Sequence, residues 1–279
     1  MLAGSPRNFM RKQIAFFVIL LATLNPTPAP ALLLNLSSRL EIPPPFLGED
    51  VTSVIGGFII GGNKGRKILI RAIGPSLADF GLVPLADPNL ELHDAAGLII
   101  TSNDNWMDTQ EEDIRDTGLQ PNDPLESAIL ITIPPGTYTA VVQGNLDPNT
   151  RLPTSGTALV ELYDISLTLG KGLDNISTRG AVQRTADPMI TGLIIGNGDE
   201  DTVLLRGIGP TLDSFGLSGM TDPRLDLFDT DGNLMASNNN WQDSQSADIA
   251  ATGLAPSDPL EAAILIASGL QRAENADMR

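Results

Sequence analysis

The sequence contains no cysteine, one histidine and few aromatic residues. Without cysteine there are no disulfide bonds, thiolate metal ligands or cysteine nucleophiles, so packing or bound ions must stabilise the chain. Aromatic residues make up 4% of the 279 residues, against 27 glycines and 21 prolines. This composition is typical of many short strands joined by turns, and it argues against long helices.

Basic residues are also scarce. The chain has 17 Lys and Arg against 34 Asp and Glu, a formal net charge of −17. Such a surface repels phosphate backbones and anionic lipids, which excludes nucleic-acid binding and argues against binding at a membrane surface. Solubility and divalent cations are favoured instead.

A short apolar run lies near the amino terminus. Three basic residues precede this run at positions 14–24, and a small-x-small site follows at 29–31. Eleven residues are too few to cross a bilayer, which needs about 20. Residues 1–31 are therefore predicted to be a secretory signal peptide, with an uncleaved anchor as the alternative. Its removal would leave 14 basic and 34 acidic residues, a net charge of −20, on a secreted or cell-surface protein.

The chain contains two copies of one sequence. Residues 57–131 align with residues 192–266 at a constant offset of 135 without a gap, and 39 of the 75 pairs are identical. This period exceeds the roughly 20 to 50 residues of solenoid repeats, so each copy is expected to hold its own core. We call residues 32–166 copy one and residues 173–270 copy two, with residues 167–172 as a linker.

The pattern within a copy predicts an all-β fold. Apolar runs bounded by Gly, Pro and Asn predict strands at 54–60, 67–73, 90–92, 98–101, 127–133, 138–143 and 157–163. One short helix is predicted at 109–117, because acidic residues fill its first turn and Gly118 follows its end. The expected architecture is two tandem antiparallel β-sandwich units, jelly-roll-like, with a short helix in each.

Copy two is incomplete in sequence. After Ile266 nothing matches the last two strands predicted in copy one. An unclosed sandwich leaves unpaired N–H and C=O groups along its edges. The chain is therefore interpreted as a fragment of a longer array or a truncated product, or as a unit whose missing edge another chain supplies. Residues 271–279 are expected to form a disordered tail.

The repeated blocks carry a resemblance to a known type of domain. The chain resembles a tandem β-repeat of large, mostly uncharacterised secreted bacterial proteins, and the resemblance covers roughly residues 32–270. It rests on Gly-Phe-Ile-Ile-Gly-Gly at 57–62, Ile-Arg-Ala-Ile-Gly-Pro-Ser-Leu at 70–77, Asn-Asp-Asn-Trp at 103–106 and Pro-Pro-Gly-Thr-Tyr-Thr at 134–139. Residues 90–102 and 131–142 are also similar to the pre-peptidase C-terminal type of domain, a β-sandwich appended to secreted enzymes. The resemblance implies an accessory, adhesive or spacer role and no known activity.

Comparison of the copies argues against catalysis. His93 aligns with Phe228 and Ser76 aligns with Thr211, so neither side chain is kept as a repeated catalytic group. Gly-Pro-Ser-Leu is also not the Gly-x-Ser-x-Gly turn of a nucleophilic serine. No Ser/His/Asp set can be assembled, and we expect a protein that is not an enzyme.

Calcium is the one cofactor that the sequence suggests. Hard oxygen ligands, the type that Ca²⁺ prefers, cluster on one loop of each copy beside a tryptophan. The candidate ligands are Asn103, Asp104, Asn105 and Asp108 in copy one and Asn238, Asn240 and Asp243 in copy two. Asn239 replaces Asp104, which weakens the charge of the second site. Alternatively, Asn and Asp simply favour turns, and the loop only seats Trp106 and Trp241 in their cores.

One arginine lies inside a predicted apolar strand of each copy. A partly buried arginine usually pairs with an acid, and Asp87 and Asp222 are the expected partners of Arg71 and Arg206. We interpret these pairs as structural.

The sequence thus favours a structural, adhesive or spacer module, with a carbohydrate-binding or accessory domain of a secreted hydrolase as the alternative. Expected partners are cell-surface or polysaccharide ligands, together with edge-strand pairing through copy two. Nucleic acid and, beyond the leader, membrane are not expected partners.

Overall fold

A computed structural model describes residues 13–22, 33–44, 53–166, 173–182, 188–195 and 202–267. In these residues the chain is all-β, with antiparallel sheets and a few short helices. The linker at 167–172 and the tail at 271–279 lie outside the described residues, as do residues 1–12 and 23–31 of the predicted signal peptide.

Copy one follows an amino-terminal strand, β1 (Gln13–Ala22). Its strands are β2 (Leu33–Ile42), β3 (Ser53–Ile60), β4 (Arg66–Ile73), β5 (Pro88–His93), β6 (Ile99–Asn103), β7 (Ser127–Ile133), β8 (Gly136–Gly144) and β9 (Gly156–Asp164). A 3-10 helix spans Pro75–Phe80, and helix α1 spans Glu111–Asp116.

Copy two repeats the order of elements. Its strands are β10 (Leu173–Val182), β11 (Ile190–Ile195), β12 (Thr202–Ile208), β13 (Leu225–Phe228), β14 (Leu234–Asn238) and β15 (Ala262–Ala267). A 3-10 helix spans Pro210–Phe215, and helix α2 spans Ser246–Ala251. Strands β10 to β15 thus correspond to β2 to β7, and no described strand of copy two corresponds to β8 or β9.

The predicted elements of copy one correspond to those found. The seven predicted strands match β3 to β9 with shifts of only a few residues. Side chains alternate between buried and partly exposed along β3 and β5, as expected of strands with one face on a core. Helix α1 starts two residues later than predicted, because Gln110 adopts a left-handed backbone with φ of 60°.

One 13-stranded sheet contains strands of both copies. Its main path runs β6-β5-β8-β3-β10-β2-β9-β4-β7, while β13 and β14 form a separate two-stranded sheet. Strand β3 pairs with β10 and strand β11 pairs with β2, so each copy bonds to the first strand of the other. Where the copies meet, the hydroxyl groups of Ser38 and Thr178 are buried and hydrogen-bonded at 2.6 Å.

The core is correspondingly shared. The largest cluster of buried apolar side chains includes Ile70 and Val160 of copy one together with Val203 and Leu205 of copy two. This differs from the expectation of a separate core in each copy. The physical reason is the exchange of first strands, which brings the apolar faces of both copies into one cluster.

The amino-terminal strand β1 pairs with β12 of copy two. In copy one, β4 pairs with β7 on one side and with β9 on the other. In copy two, β12 pairs with β15 on one side and with β1 on the other. Strand β1 therefore lies where a copy-two counterpart of β9 would lie. Cleavage of this segment as part of a signal peptide remains a prediction.

Candidate functional site

Arg71 lies on β4 directly opposite Glu161 on β9. Its Nε donates a hydrogen bond to Glu161 Oε2 at 2.9 Å, and its Nη2 donates to the same oxygen. On the other side, Nη1 donates to the carbonyl oxygen of Leu119 at 2.6 Å. The side chains of Arg71 and Glu161 are only 15% and 11% exposed, so this ion pair joins β4 to β9 away from bulk water.

Tyr163 completes the group. Its hydroxyl accepts a hydrogen bond from Arg71 Nη2 at 3.0 Å and donates one to Glu161 Oε1 at 2.9 Å. The guanidinium carbon lies 5.0 Å from the centre of the tyrosine ring. Burial and the neighbouring glutamate raise the pKa of Tyr163 to about 12. We call Arg71, Glu161 and Tyr163 the Arg-Glu-Tyr cluster.

The described part of copy two has the arginine without the rest of the cluster. Arg206 Nη1 donates to the carbonyl oxygen of Leu254 at 2.9 Å, which matches the Arg71 contact with Leu119. Its Nε is buried and has no hydrogen-bond partner in the described part of the chain. Burial lowers the pKa of Arg206, against the raising effect of Glu261.

The expected pairing of these arginines with Asp87 and Asp222 is wrong. Arg71 binds Glu161, because the register of β4 and β9 places the two residues opposite each other. Asp222 instead accepts a hydrogen bond from the side chain of Asn239 at 3.3 Å. Arg71 thus forms a structural ion pair, but its acid lies on β9, which has no counterpart among the described strands of copy two.

A buried glutamate recurs in both copies. Glu126 is fully buried, and its Oε1 accepts hydrogen bonds from the backbone N–H groups of Gly74 at 3.1 Å and Ser76 at 3.0 Å. Its Oε2 accepts from the N–H group of Asp123 at 3.2 Å. Glu261 repeats this arrangement in copy two. Its carboxylate accepts hydrogen bonds from the backbone N–H groups of Gly209 at 3.1 Å, Thr211 at 2.9 Å and Asp258 at 3.4 Å. Each glutamate therefore holds a Gly-Pro turn in place.

The role of these glutamates was not predicted from the sequence. The signal was present in the alignment, because Glu126 and Glu261 are identical residues that each precede a predicted strand. Nothing in the local pattern indicated that a charged residue at this place would be buried.

The predicted calcium loop is bonded internally. Asn103 donates from its amide nitrogen to the carbonyl oxygen of Asn105 at 3.0 Å and to the hydroxyl of Thr109 at 3.3 Å. Its amide oxygen accepts from the backbone N–H of Ala128 at 2.8 Å. Asn238 makes the three corresponding bonds in copy two, at 2.9, 3.2 and 2.9 Å. Both amides therefore fasten the loop to the next strand.

A glutamine reinforces the same attachment. The side-chain amide of Gln110 donates to the carbonyl oxygen of Leu130 at 2.8 Å and accepts from its N–H at 3.2 Å. Gln245 repeats both bonds with Leu265, at 2.8 and 3.1 Å. The indole of Trp106, 3% exposed, lies beneath this loop. These contacts match the alternative in which the loop seats a tryptophan.

The other predicted calcium ligands of copy one form two separate groups, Asn105 with Asp108 and Asp104 with Asn145. The Asn105 amide donates to Asp108 Oδ2 at 3.2 Å, while Asp104 accepts from Asn145 and lies near Asp87. Burial raises the pKa of Asp87, the Asn145 bond lowers it, and the charge of Asp104 raises it.

Copy two separates the corresponding residues in the same way. Asn240 donates to Asp243 Oδ2 at 2.9 Å, and neutral Asn239 faces Asp222. No group of three or more His, Cys, Asp or Glu side chains that could hold a metal ion occurs among the described residues.

The two residues weighed as catalytic groups have other contacts. His93 lies on β5, where its Nε2 is 2.9 Å from Glu91 and its Nδ1 is 3.2 Å from the carbonyl oxygen of Gly97. Ser76 binds Glu126 through its backbone N–H. His93 and Ser76 thus contact different glutamates, and the structure does not assemble them into one site.

Three comparisons with known proteins were negative. A scan against protein-family models, a search of curated proteins and a search of solved structures all found no match. Among the described residues, no helix has the length and apolar character needed to span a membrane. A function is therefore inferred from what the two copies share and from where they differ.

Proposed function

We propose that this protein is a secreted, non-catalytic module of tandem β-sandwich units with a structural, adhesive or spacer role. The proposal rests on the polar side chains that are identical in both copies, because they bind the protein's own backbone. Glu126, Asn103 and Gln110 each bind backbone groups of their own copy, and their counterparts do the same. A repeated active site would instead keep such groups directed at a substrate.

The packing of copy one supports a two-layer sandwich. The rings of Phe58 on β3 and Tyr138 on β8 stack with centres 5.5 Å apart. They belong to the same buried cluster as Ile70 on β4 and Val160 on β9. A small space between these strands is lined by apolar side chains and glycines, as in the interior of a sandwich.

Exposed apolar side chains at matched positions support an adhesive role. Phe80 and Phe215 are 78% and 74% exposed, and Leu125 and Leu260 are both 46% exposed. Exposed apolar surface often marks contact with another molecule. Its recurrence gives each unit the same surface to present, as a repeated adhesive module requires.

The apolar run near the amino terminus and the acidic composition support export. A run of basic, apolar and then small residues is the pattern of a signal peptide. The high negative charge keeps such a chain soluble after export.

A carbohydrate-binding or accessory role is the second candidate. It needs exposed aromatic rings on a sheet face, and Phe228 on β13, 55% exposed, meets this requirement. Trp106 and Tyr138 are buried instead. One exposed phenylalanine gives this candidate less support than the repeated apolar positions give to adhesion.

Expression of the full chain with its own leader in a bacterium tests the proposal. We expect the protein in the medium or on the cell surface, with an amino terminus near Leu32. Beads coated with it should adhere to cells or surfaces, and F80S/F215S should adhere less than the exposed-charge control D79N. Retention of all 279 residues in the cytoplasm, or hydrolysis of a polymer by the purified chain, would contradict the proposal. Selective binding to a glycan array would favour the second candidate.

A further inference from the structure

We infer that copy two is a receptor for an extended strand from another polypeptide that carries a Glu-x-Tyr motif. The strand would bind antiparallel to β12, with its glutamate opposite Arg206. This inference deepens the proposed function and rests on the two copies being equivalent β units. The occupant is identified by its chemistry, which copy one displays in full.

The register of copy one defines the arrangement. On β4, Arg71 lies opposite Glu161, and Leu69 lies opposite Tyr163. The offset of 135 places Arg206 and Leu204 at these positions on β12. A strand entering copy two in the same register would therefore place its glutamate opposite Arg206 and its tyrosine opposite Leu204.

The guanidinium of Arg206 is held in place with one donor left unpaired among the described residues. The carbonyl oxygen of Leu254 holds its Nη1 at 2.9 Å, as Leu119 holds that of Arg71. This contact leaves the Nε directed elsewhere, and in copy one the Nε is the atom that donates to Glu161. In copy two the Nε is buried without a partner among the described residues. A buried donor left unpaired costs free energy, which an incoming carboxylate would recover.

The present neighbour of β12 does not supply this chemistry. Strand β1 pairs with β12 through its backbone, and Val18 lies opposite Arg206 where copy one has Glu161. Glu-x-Tyr occurs once in the sequence, at 161–163, where copy one already uses it. Residues 1–279 therefore hold no second motif, and the proposed donor is a partner polypeptide. Removal of the predicted signal peptide would also remove β1 and open the place.

The entering strand should also be apolar at alternate positions. On β9 the residues that alternate with the motif, Ala158, Val160 and Leu162, are buried. Strand addition of this type takes its affinity from backbone hydrogen bonds and its specificity from side chains at alternate positions. The motif specifies a strand of the form apolar-Glu-apolar-Tyr.

Fluorescence anisotropy with a labelled peptide tests the inference. The peptide has the sequence of residues 154–166, and the control peptide carries Gln for the glutamate and Phe for the tyrosine. The proteins are the full chain and the full chain with V18P and L20P, because proline removes ladder hydrogen bonds and should release β1. R206M tests the site, and R224M, at an exposed arginine, is the matched control.

The peptide should bind the V18P/L20P protein more tightly than the unchanged full chain. R206M and the control peptide should each weaken binding at least tenfold, whereas R224M should leave it unchanged.

If the proline variant unfolds, hydrogen exchange on the unchanged chain gives the same test, since the peptide should protect β12 and not β4. Absence of binding and protection, or equal binding by R206M, would overturn the inference. The inference would also be overturned if the full chain associated with itself and R206M abolished that association. The strand would then come from a second copy of this chain. None of these outcomes depends on export, so they are distinguishable from failure of the proposed function.

Discussion

A buried carboxylate normally destabilises a protein unless its oxygens find donors. Glu126 meets this condition by accepting three backbone N–H groups, at 3.0, 3.1 and 3.2 Å. The backbone N–H of Trp106 in turn donates to the carbonyl oxygen of Glu126 at 2.9 Å. One residue therefore fixes both the Gly-Pro turn and the tryptophan loop, and copy two repeats it with Glu261.

E126Q should lower the free energy of unfolding of the protein by about 1 to 3 kcal/mol. The glutamine oxygen can replace Oε1, but its NH₂ group would face the N–H of Asp123, so two donors would meet without an acceptor. Urea unfolding followed through Trp106 in a W241F background measures the change. E111Q, at an exposed glutamate that binds Arg115, is the control and should change stability far less. An E126Q protein as stable as E111Q would contradict this role.

Asp87 and Asp104 predict a pH dependence confined to copy one. Burial first, and then the charge of Asp104, raise the pKa of Asp87 above its ordinary value of 3.8. The folded state thus favours protonated Asp87, so this contribution to stability is complete below pH 3.8 and is lost as the pH rises through the raised pKa. D104N removes the repulsion between the two carboxylates and reproduces the Asn239 of copy two, so the loss of stability with rising pH should become smaller. Urea midpoints from pH 3 to 7 measure this loss. The control D79N should leave the pH profile unchanged, and an unchanged profile in D104N would refute the role of Asp104.

At the scale of elements, strand β1 completes the backbone pairing of β12 without its side-chain chemistry. A strand whose edge is covered exchanges its amide protons slowly, whereas an open edge exchanges them fast and is prone to further pairing. Copy two therefore depends on β1 in a way that copy one, which has β9, does not.

V18P/L20P in the full chain should raise amide exchange in β12 and leave exchange in β4 unchanged. The reason is that proline in β1 disrupts the strand that pairs with β12, while β4 keeps β7 and β9. Hydrogen exchange followed by mass spectrometry resolves the two strands. Equal exchange in β12 before and after the substitution would mean that β1 does not protect copy two.

The tryptophan loops remain predicted calcium sites, and the structure makes the prediction asymmetric. Copy one has Asp87 and Asp104 together, whereas copy two has Asp222 and neutral Asn239. We therefore expect copy one to bind the ion more tightly, and we expect CaCl₂ to raise the melting temperature of the protein, with EDTA reversing the shift. D104N should reduce the shift. No shift in the unchanged protein would leave the loops with only their internal hydrogen bonds.

Much of each element could be predicted from sequence, because the signals are local. Alternation predicted β3 and β5, and glycines and prolines set the ends of most strands. The side-chain contacts were harder to predict. Glu161 lies 90 residues from Arg71, so its pairing depends on strand register, and no local pattern indicated that Glu126 would be buried. The sequence located the loop around Trp106, but the backbone partner of Asn103 lies 25 residues away and no local pattern predicts it.

At the scale of the whole molecule, the sequence repeat did not predict how the copies join. Two equal copies suggest independent units, yet β2 pairs with β11 and β10 pairs with β3. Because β2 and β10 are equivalent strands, each can occupy the place of the other, and no pattern within either strand distinguishes these arrangements. The shared core around Val160 and Val203 is the consequence.

The central claim is that copy one has a complete Arg-Glu-Tyr cluster, while in the described part of copy two the equivalent arginine has no such acid. The measurement that tests it most directly compares the free energies of urea unfolding of R71M and R206M with that of the unchanged protein. R71M should destabilise the protein by about 3 to 5 kcal/mol, because it leaves the buried Glu161 without its cationic partner. R206M should cost only about 1 kcal/mol, because it removes the Nη1 bond to the Leu254 carbonyl and an Nε donor that has no acceptor among the described residues. Equal losses from the two substitutions would contradict the account, since Arg206 would then already have a partner equivalent to Glu161.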